Sequence, residues 1–361
     1  MSLTLLEVCN LRIVRHTVLE PSPGLNILVG PNGSGKSSLL EAVHMLGMGR
    51  SFRTGLAAYP VRHGEKSLTV HGRWRTERGD EVLLGVERGH EHRRIRVNGS
   101  TCAGASVLAQ VLPLQAVLPD SRYLFLHSAK FRRGVLDWGL FHVEPRFYEL
   151  WVRYQRALRQ RNAGLRVGAG PGRLAPWEQA LADKGEQIEQ LRARYMEQWR
   201  QCACEYAALL LPGLDLCISA QRGWPAGIAL ADALRQDRER DRVDGYTHAG
   251  AHRADLQVLL GGAPLRDCAS QGQQILVVLA LRLAQLELFM RETGRRCLLM
   301  LDDVLNQLDS ERRLGLLARV AELGAQTFVT TTDAGALKLN GSGEPRLFHV
   351  EQGQVKAQGK S

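Results

Sequence analysis

Two apolar patterns recur along the 361-residue chain. Short uncharged runs, Leu25 to Val29, Cys297 to Leu301 and Thr327 to Thr330, read as buried strands of a parallel sheet. Other stretches repeat apolar residues at three- and four-residue steps and read as helices. Ser38 to Leu46 follows the first run in this way, and Ile275 to Met290 is longer still. Phe147, Leu150, Trp151, Tyr154 and Leu158 predict a helix from Arg146. Trp177, Leu181, Ile188, Leu191, Tyr195, Trp199, Cys202, Tyr206 and Leu209 predict a second, near-heptad helix that stops at Pro212. The glycines and prolines between Gly164 and Pro176 predict a flexible turn joining the pair. Lys184 and Gly185 interrupt the second stripe, so a stubby antiparallel arm is expected rather than a rigid rod.

The chain is long enough for two domains or one domain with a large insertion. With 44% hydrophobic and 23% charged residues it has the composition of a folded protein. The longest uncharged apolar run, Ile275 to Leu281, ends at Arg282, and the N-terminus lacks a basic patch followed by an apolar block. A soluble cytoplasmic protein without membrane association is expected. Seven cysteines without a C-x-x-C pair point to scattered thiols, neither a disulfide framework nor a zinc site. Net charge is +10, and its densest excess lies from Arg122 to Arg166, with ten basic residues against three acidic ones. Such a stretch either attracts phosphate-rich partners or is a solvated arginine-rich surface.

The strongest chemistry follows the first strand. Gly30-Pro31-Asn32-Gly33-Ser34-Gly35-Lys36-Ser37 fits G-x-x-x-x-G-K-[ST], and Ser38 opens the helix. Glycines let backbone N–H groups curl around phosphate oxygens, and the helix start adds its positive end. Lys36 would reach the β- and γ-phosphates of ATP, and Ser37 would ligate Mg²⁺. Asp302 and Asp303 close the strand Cys297 to Leu301; Asp302 would hold the Mg²⁺ through water, and Asp303 would orient or deprotonate the attacking water. Ser270-Gln271-Gly272-Gln273 starts the long apolar helix, a further N-terminal anion site.

The order of these parts (P-loop, long insertion, S-x-G-Q helix, acidic strand) resembles the ABC-type ATPase head. In such heads the serine helix caps the γ-phosphate held by a second copy. Leu11-Arg12, Gly24-Leu25-Asn26, Gly49-Arg50-Ser51-Phe52-Arg53, Lys130 to Asp137 (KFRRGVLD) and Gly250 to Leu256 (GAHRADL) narrow the resemblance to the RecF family of the ABC/SMC-type ATPases. It implies an α/β head, lobe I, with an inserted, mainly helical lobe II bearing a short helical arm. The expected division is 1–118, 119–212 and 213–361. It also implies an ATP-dependent homodimer on single-stranded, gapped or junction DNA without sequence preference. Such a protein is a weak DNA-stimulated ATPase that works with RecR and RecO to load RecA, supporting SOS induction.

Departures from the family pattern are Ala269 before Ser270, Gln307 in Asn306-Gln307-Leu308-Asp309, and Ala251 in Gly-Ala-His-Arg. Thr331 and Thr332 stand where transporter heads carry a switch histidine, and a threonine hydroxyl cannot act as acid or base near neutral pH. With the short Asp303 this favours a slow switch over a motor. The rival readings are a transporter subunit, a structural clamp, and a nucleotide-binding scaffold without significant hydrolysis. For DNA, the sequence offers Arg153, Arg156, Arg159 and Arg161 on the first arm helix, as a phosphate-tracking face or as a solvated surface. Arg235 to Asp244 alternates in charge and reads as a solvated helix.

Overall fold

A computed structural model describes residues 1–53, 59–333 and 345–357. The chain forms two compact units, Met1–Ser121 with Phe289–Ser361, and Arg122–Leu288. The expected boundary at 118/119 lies close to the observed one. The expected boundary at 212/213 does not exist: residues 213–288 belong to the second unit, because their strands pack on its long helix.

The first unit opens with β1 (Ser2–Leu11) and β2 (Val14–Leu19), then β3 (Leu25–Val29) and α1 (Lys36–Met48). β4 (Ser67–Arg75), β5 (Glu81–Gly89), β6 (Arg93–Val97) and β7 (Ser100–Thr101) complete an antiparallel sheet in the order β2-β1-β4-β5-β6-β7. Along β4, buried Leu68, Val70 and Trp74 alternate with outward Thr69, His71, Arg73 and Arg75, as in a strand with one face on a core. α2 (Ser106–Val111) and β8 (Leu114–Val117) end this stretch.

The second unit holds α3 (Ser121–His127), α4 (Ala129–Val143), α5 (Phe147–Arg166) and α6 (Pro171–Leu210). It continues through β9 (Leu216–Gln221), α7 (Leu230–Gln236), α8 (Arg238–Asp244), β10 (Asp255–Leu260), β11 (Ala263–Pro264) and α9 (Leu265–Cys268). β9, β10 and β11 form a small antiparallel sheet with α6 against β9. α10 (Gln271–Thr293) leads back to the first unit. By length and mean hydropathy alone, 1.4, α10 would pass for a membrane span, but 78% of that window is buried in protein, which accounts for its composition.

β12 (Leu298–Leu301), α11 (Ser310–Leu323), β13 (Gln326–Thr331), β14 (Arg346–Glu351) and β15 (Gln354–Ala357) return to the first unit. Its second sheet runs β15-β14-β3-β13-β12-β8, with every pair parallel except β14 and β15. α1 is buried almost all round, the mark of a core helix. Its Leu39, Leu40, Val43 and Met45 join Leu3, Leu6 and Trp74 of one sheet and Leu28, Met300 and Phe328 of the other in one apolar cluster.

The arm differs from expectation in two ways. Its turn is short, since α5 runs to Arg166 and α6 begins at Pro171, where proline suits a first helical turn. Gly185 does not weaken α6; a Cβ there would lie 2.4 Å from Leu230 Cδ2, so the glycine admits α7 to the helix. α6 is unbroken over 40 residues, about 60 Å at the ordinary helical rise.

Candidate nucleotide site

The parallel ladder brings the P-loop and the acidic pair of the first unit together. β3 lies between β13 and β14, and β12 lies next to β13, with Leu301 opposite Val329 and Thr331 opposite Val29. Gly30, Asp302 and Thr331 therefore emerge at the carboxyl end of one sheet, where α/β folds bind ligands. Gly30 N–H donates to the Thr331 carbonyl at 3.3 Å.

Each glycine of the loop has a physical reason. A Cβ on Gly30 would lie 2.2 Å from the Val350 carbonyl oxygen of β14. Gly33 and Gly35 have φ of 78° and 112°, values that L side chains rarely adopt. Pro31, Asn32 and Gly33 are exposed, whereas Ser34, Lys36 and Ser38 are buried. The Lys36 ammonium donates to the carbonyls of Gly30 and Pro31 at 2.8 and 2.9 Å, which holds it over the loop. Ser34 Oγ is buried without a hydrogen-bond partner among the described residues. An orphaned hydroxyl inside a glycine cradle at a helix start fits a phosphate group, which would supply acceptors.

The Ser37 hydroxyl donates to Asp302 Oδ1 at 3.0 Å, and Thr330 Oγ1 donates to the same oxygen at 2.7 Å. Asp302 is only 3% exposed. Burial pushes its carboxyl above the usual range; the Thr330 and Ser37 hydroxyls pull it back, Asp303 pushes it up again, and Arg53 opposes that. A buried carboxylate beside a serine hydroxyl is a hard oxygen donor set that suits Mg²⁺. Asp303 takes a left-handed φ of 55°, with its N–H on Thr330 Oγ1 at 2.9 Å and its Oδ1 accepting from Asn306 Nδ2 at 3.4 Å.

Thr331 Oγ1 donates to the Asp333 carbonyl and accepts its N–H, both at 3.1 Å, so it makes a local turn, and Thr332 is exposed. Ser270 lies in the second unit and caps α10. Its Oγ accepts from Gln273 N–H at 3.3 Å while Gln273 Oε1 accepts from Ser270 N–H at 2.8 Å. Ser270 and Gln271 are exposed, and Gly272 and Gln273 half-buried.

Sequence reasoning missed two residues of the first unit. Glu41 is fully buried, gripped by Arg12 at 2.8 and 3.0 Å and by Ser51 Oγ at 2.6 Å, with Arg53 at 3.6 Å. Its signal is the one acid in the mostly apolar Ser38–Leu46 stripe. The other is Thr330, a polar residue inside a wholly buried strand.

The arginines need correction. Arg153, Arg156 and Arg159 are exposed, with Arg153 paired to Glu149 on its own helix. Arg161 is fully buried and cannot touch DNA. It pairs with Asp241 at 2.6 Å and Glu178 at 3.1 Å and donates to Thr247. Arg235–Asp244 is likewise not wholly solvated, because Asp241 is buried at its centre. Arg132 and Arg133 serve the fold of the second unit: Arg132 makes two 2.7 Å bonds to Asp255, and Arg133 donates to the Ala254 carbonyl.

The P-loop at the end of a central parallel strand, the acidic strand beside it and the inserted helical unit define an ABC-type ATPase head. The sequence matches the family described as RecF/RecN/SMC N terminal domain over residues 2–356. The chain belongs to the RecF family. It is 40% identical over 360 residues to the DNA replication and repair protein RecF of Proteus mirabilis strain HI4320, covering 99% of both chains. It is also 40% identical over 359 residues to that of Pseudomonas paraeruginosa, covering 98% of this chain and 97% of the relative. Among solved structures it is similar to the recombination mediator protein RecF-ATP in the RecFOR pathway, with TM-score 0.87, 26% identity, and 99% and 97% of the two chains covered. An SmcHead bound to the C-winged helix domain of ScpA shares the fold, with TM-score 0.60 and 16% identity over 99% and 97%.

Proposed function

We propose that this protein is an ATP-operated DNA-binding switch of recombinational repair. The observation that carries the reading is the meeting of Ser37 and Asp302 beneath a glycine-built phosphate cradle, in a chain whose relatives are named DNA replication and repair proteins. Backbone N–H groups from Gly33 to Ser38 bind the phosphates, and Lys36 moves its ammonium from the loop carbonyls to them. Ser37 and Asp302 hold Mg²⁺, which when bound neutralises phosphate charge. Asp303 orients the attacking water, and its short reach with Thr331 and Thr332 nearby keeps hydrolysis slow.

Ser270, Gln271, Gly272 and Gln273 cap the nucleotide of a second copy, so ATP joins two subunits. The exposed Arg153, Arg156 and Arg159 give the dimer a sequence-independent hold on single-stranded, gapped or junction DNA, and DNA stimulates hydrolysis. RecR is the direct partner, with RecO and RecA in the same cytoplasmic pathway; the likeness to a recombination mediator of the RecFOR pathway supports this.

Sedimentation of wild type, Lys36→Arg and Ser270→Arg with and without ATP and gapped DNA tests the reading. ATP should dimerise the wild type and tighten DNA binding. Lys36→Arg should lose hydrolysis, and Ser270→Arg should lose the dimer. A wild type that stays monomeric with ATP, or binds DNA equally without it, overturns the mechanism.

A further inference from the structure

Asp302 and Asp303 follow β12 where its parallel register with β13 ends, at Leu301 opposite Val329. The next residue of β13, Thr330, takes over the pairing with its side chain. It is fully buried. Its Oγ1 donates to Asp302 Oδ1 at 2.7 Å and accepts the N–H of Asp303 at 2.9 Å. An amide can only donate, which leaves the single hydroxyl proton for the carboxylate, so one oxygen serves both aspartates at once.

Both bonds have something to hold. Asp302 must stay turned to the Ser37 hydroxyl, which reaches the same Oδ1 at 3.0 Å. Asp303 sits at φ 55°, where the Cβ of an L residue crowds the following carbonyl. Such a conformation persists only where the surroundings over-determine it. A β-branched residue in a packed strand has little χ1 freedom, so its hydroxyl is a fixed point.

We propose that Thr330 is the positioning residue of the acidic pair: one buried hydroxyl sets the Asp302 carboxylate against Ser37 and locks the left-handed turn that aims Asp303. The proposal rests on the ATPase reading above and deepens it. Thr330 acts through the two aspartates and touches no nucleotide. Thr331 and Thr332 do not share the task, since the first closes its own turn with Asp333 and the second is exposed.

Thr330→Val removes the hydroxyl and keeps the shape, Thr330→Ser keeps the hydroxyl, and Thr330→Ala is a second hydroxyl-free variant should valine disturb folding. Hydrolysis is measured against ATP and Mg²⁺ concentration, and hydrogen exchange of the Asp303 amide is followed without nucleotide. Thr330→Val should lose about 10–100-fold in kcat or in apparent Mg²⁺ affinity. Its KM for ATP should change little, because the P-loop is untouched. The Asp303 amide should lose protection in the valine and alanine variants and regain it in Thr330→Ser, together with most of the rate. Wild-type rate and protection in Thr330→Val overturn the proposal. So does a serine variant that falls as far as valine, which assigns the role to the methyl group. Should the unmodified protein fail to hydrolyse ATP, the ATPase reading falls by itself, and unchanged amide exchange in Thr330→Val then rejects the grip as well.

Discussion

Each unit buries an aspartate, and the two are satisfied in opposite ways. Asp241, in the second unit, faces the guanidinium of Arg161 at 2.6 Å and His248 Nδ1 at 2.7 Å, with Arg161 also drawing in Glu178. Asp302, in the first unit, faces two neutral hydroxyls, and the nearest arginine influence on it is the weakest of its causes. The first arrangement is closed: charge meets charge, and removal of either side strands the other. The second fixes geometry without cancelling charge, which suits a carboxylate meant to meet a cation. On the role proposed for Asp302, the partner of a buried acid separates the two kinds better than burial does.

The largest expected effect breaks the closed arrangement. Arg161→Met should cost about 3–5 kcal/mol in urea unfolding, because Asp241 stays buried without its guanidinium partner, while Glu178 keeps only Arg238 at 2.6 Å. An unchanged midpoint would return Arg161 to the DNA candidates. Asp302→Asn should do the reverse. The amide oxygen can still accept from Ser37 and Thr330, so stability should hold within about 1 kcal/mol. ATP hydrolysis, followed by phosphate release, should drop about 10²–10³-fold. A destabilised Asp302→Asn protein with intact turnover would erase the distinction.

His44 of the first unit shows a third solution, in which charge is avoided. Burial holds its imidazole down to about 4, against 6.5 for a free one, with Nδ1 on the Arg50 carbonyl at 2.9 Å. Between those values the unfolded chain binds more protons than the folded one. The stability is complete above pH 6.5 and drains away as pH falls towards 4. Its full size is about 3 kcal/mol. Urea unfolding across that range should show the slope, and His44→Leu should flatten it.

The smallest effects belong to the exposed arginines. Changing Arg153, Arg156 and Arg159 to Gln should move stability by less than about 0.5 kcal/mol. If they hold phosphates, the salt slope of single-stranded DNA binding should shrink by about 0.7 for each phosphate no longer neutralised. An unchanged slope moves the DNA face off α5.

What sequence can reveal follows the range of the interactions. β3, the P-loop and α1 are set by neighbouring residues, and they appear where the apolar run and the glycines put them. β12 and β13 are legible for the same reason. Arg161 misleads because its partner lies 80 residues away, and a basic helix face looks alike whether wet or paired. Gly185 looks like a flaw because Leu230, the side chain it admits, belongs to another helix. The grip of Thr330 depends on β12 stopping at Leu301 while β13 runs on beside it, and the left-handed Asp303 leaves no mark in composition.

Gly30, near the start of the chain, is shaped by Val350, near its end, and Gly353 N–H donates to the Ser34 carbonyl at 2.8 Å. β1 is tied to β13 in the same way, by Leu3 N–H on Gln326 Oε1 at 2.7 Å. On the ribosome, then, the residues of the phosphate loop are made long before the strand that shapes them. Until β14 is made, a nascent chain carries all its P-loop residues without the wall that shapes them. A message cut short before β14 would yield a product that has the motif and lacks the seat.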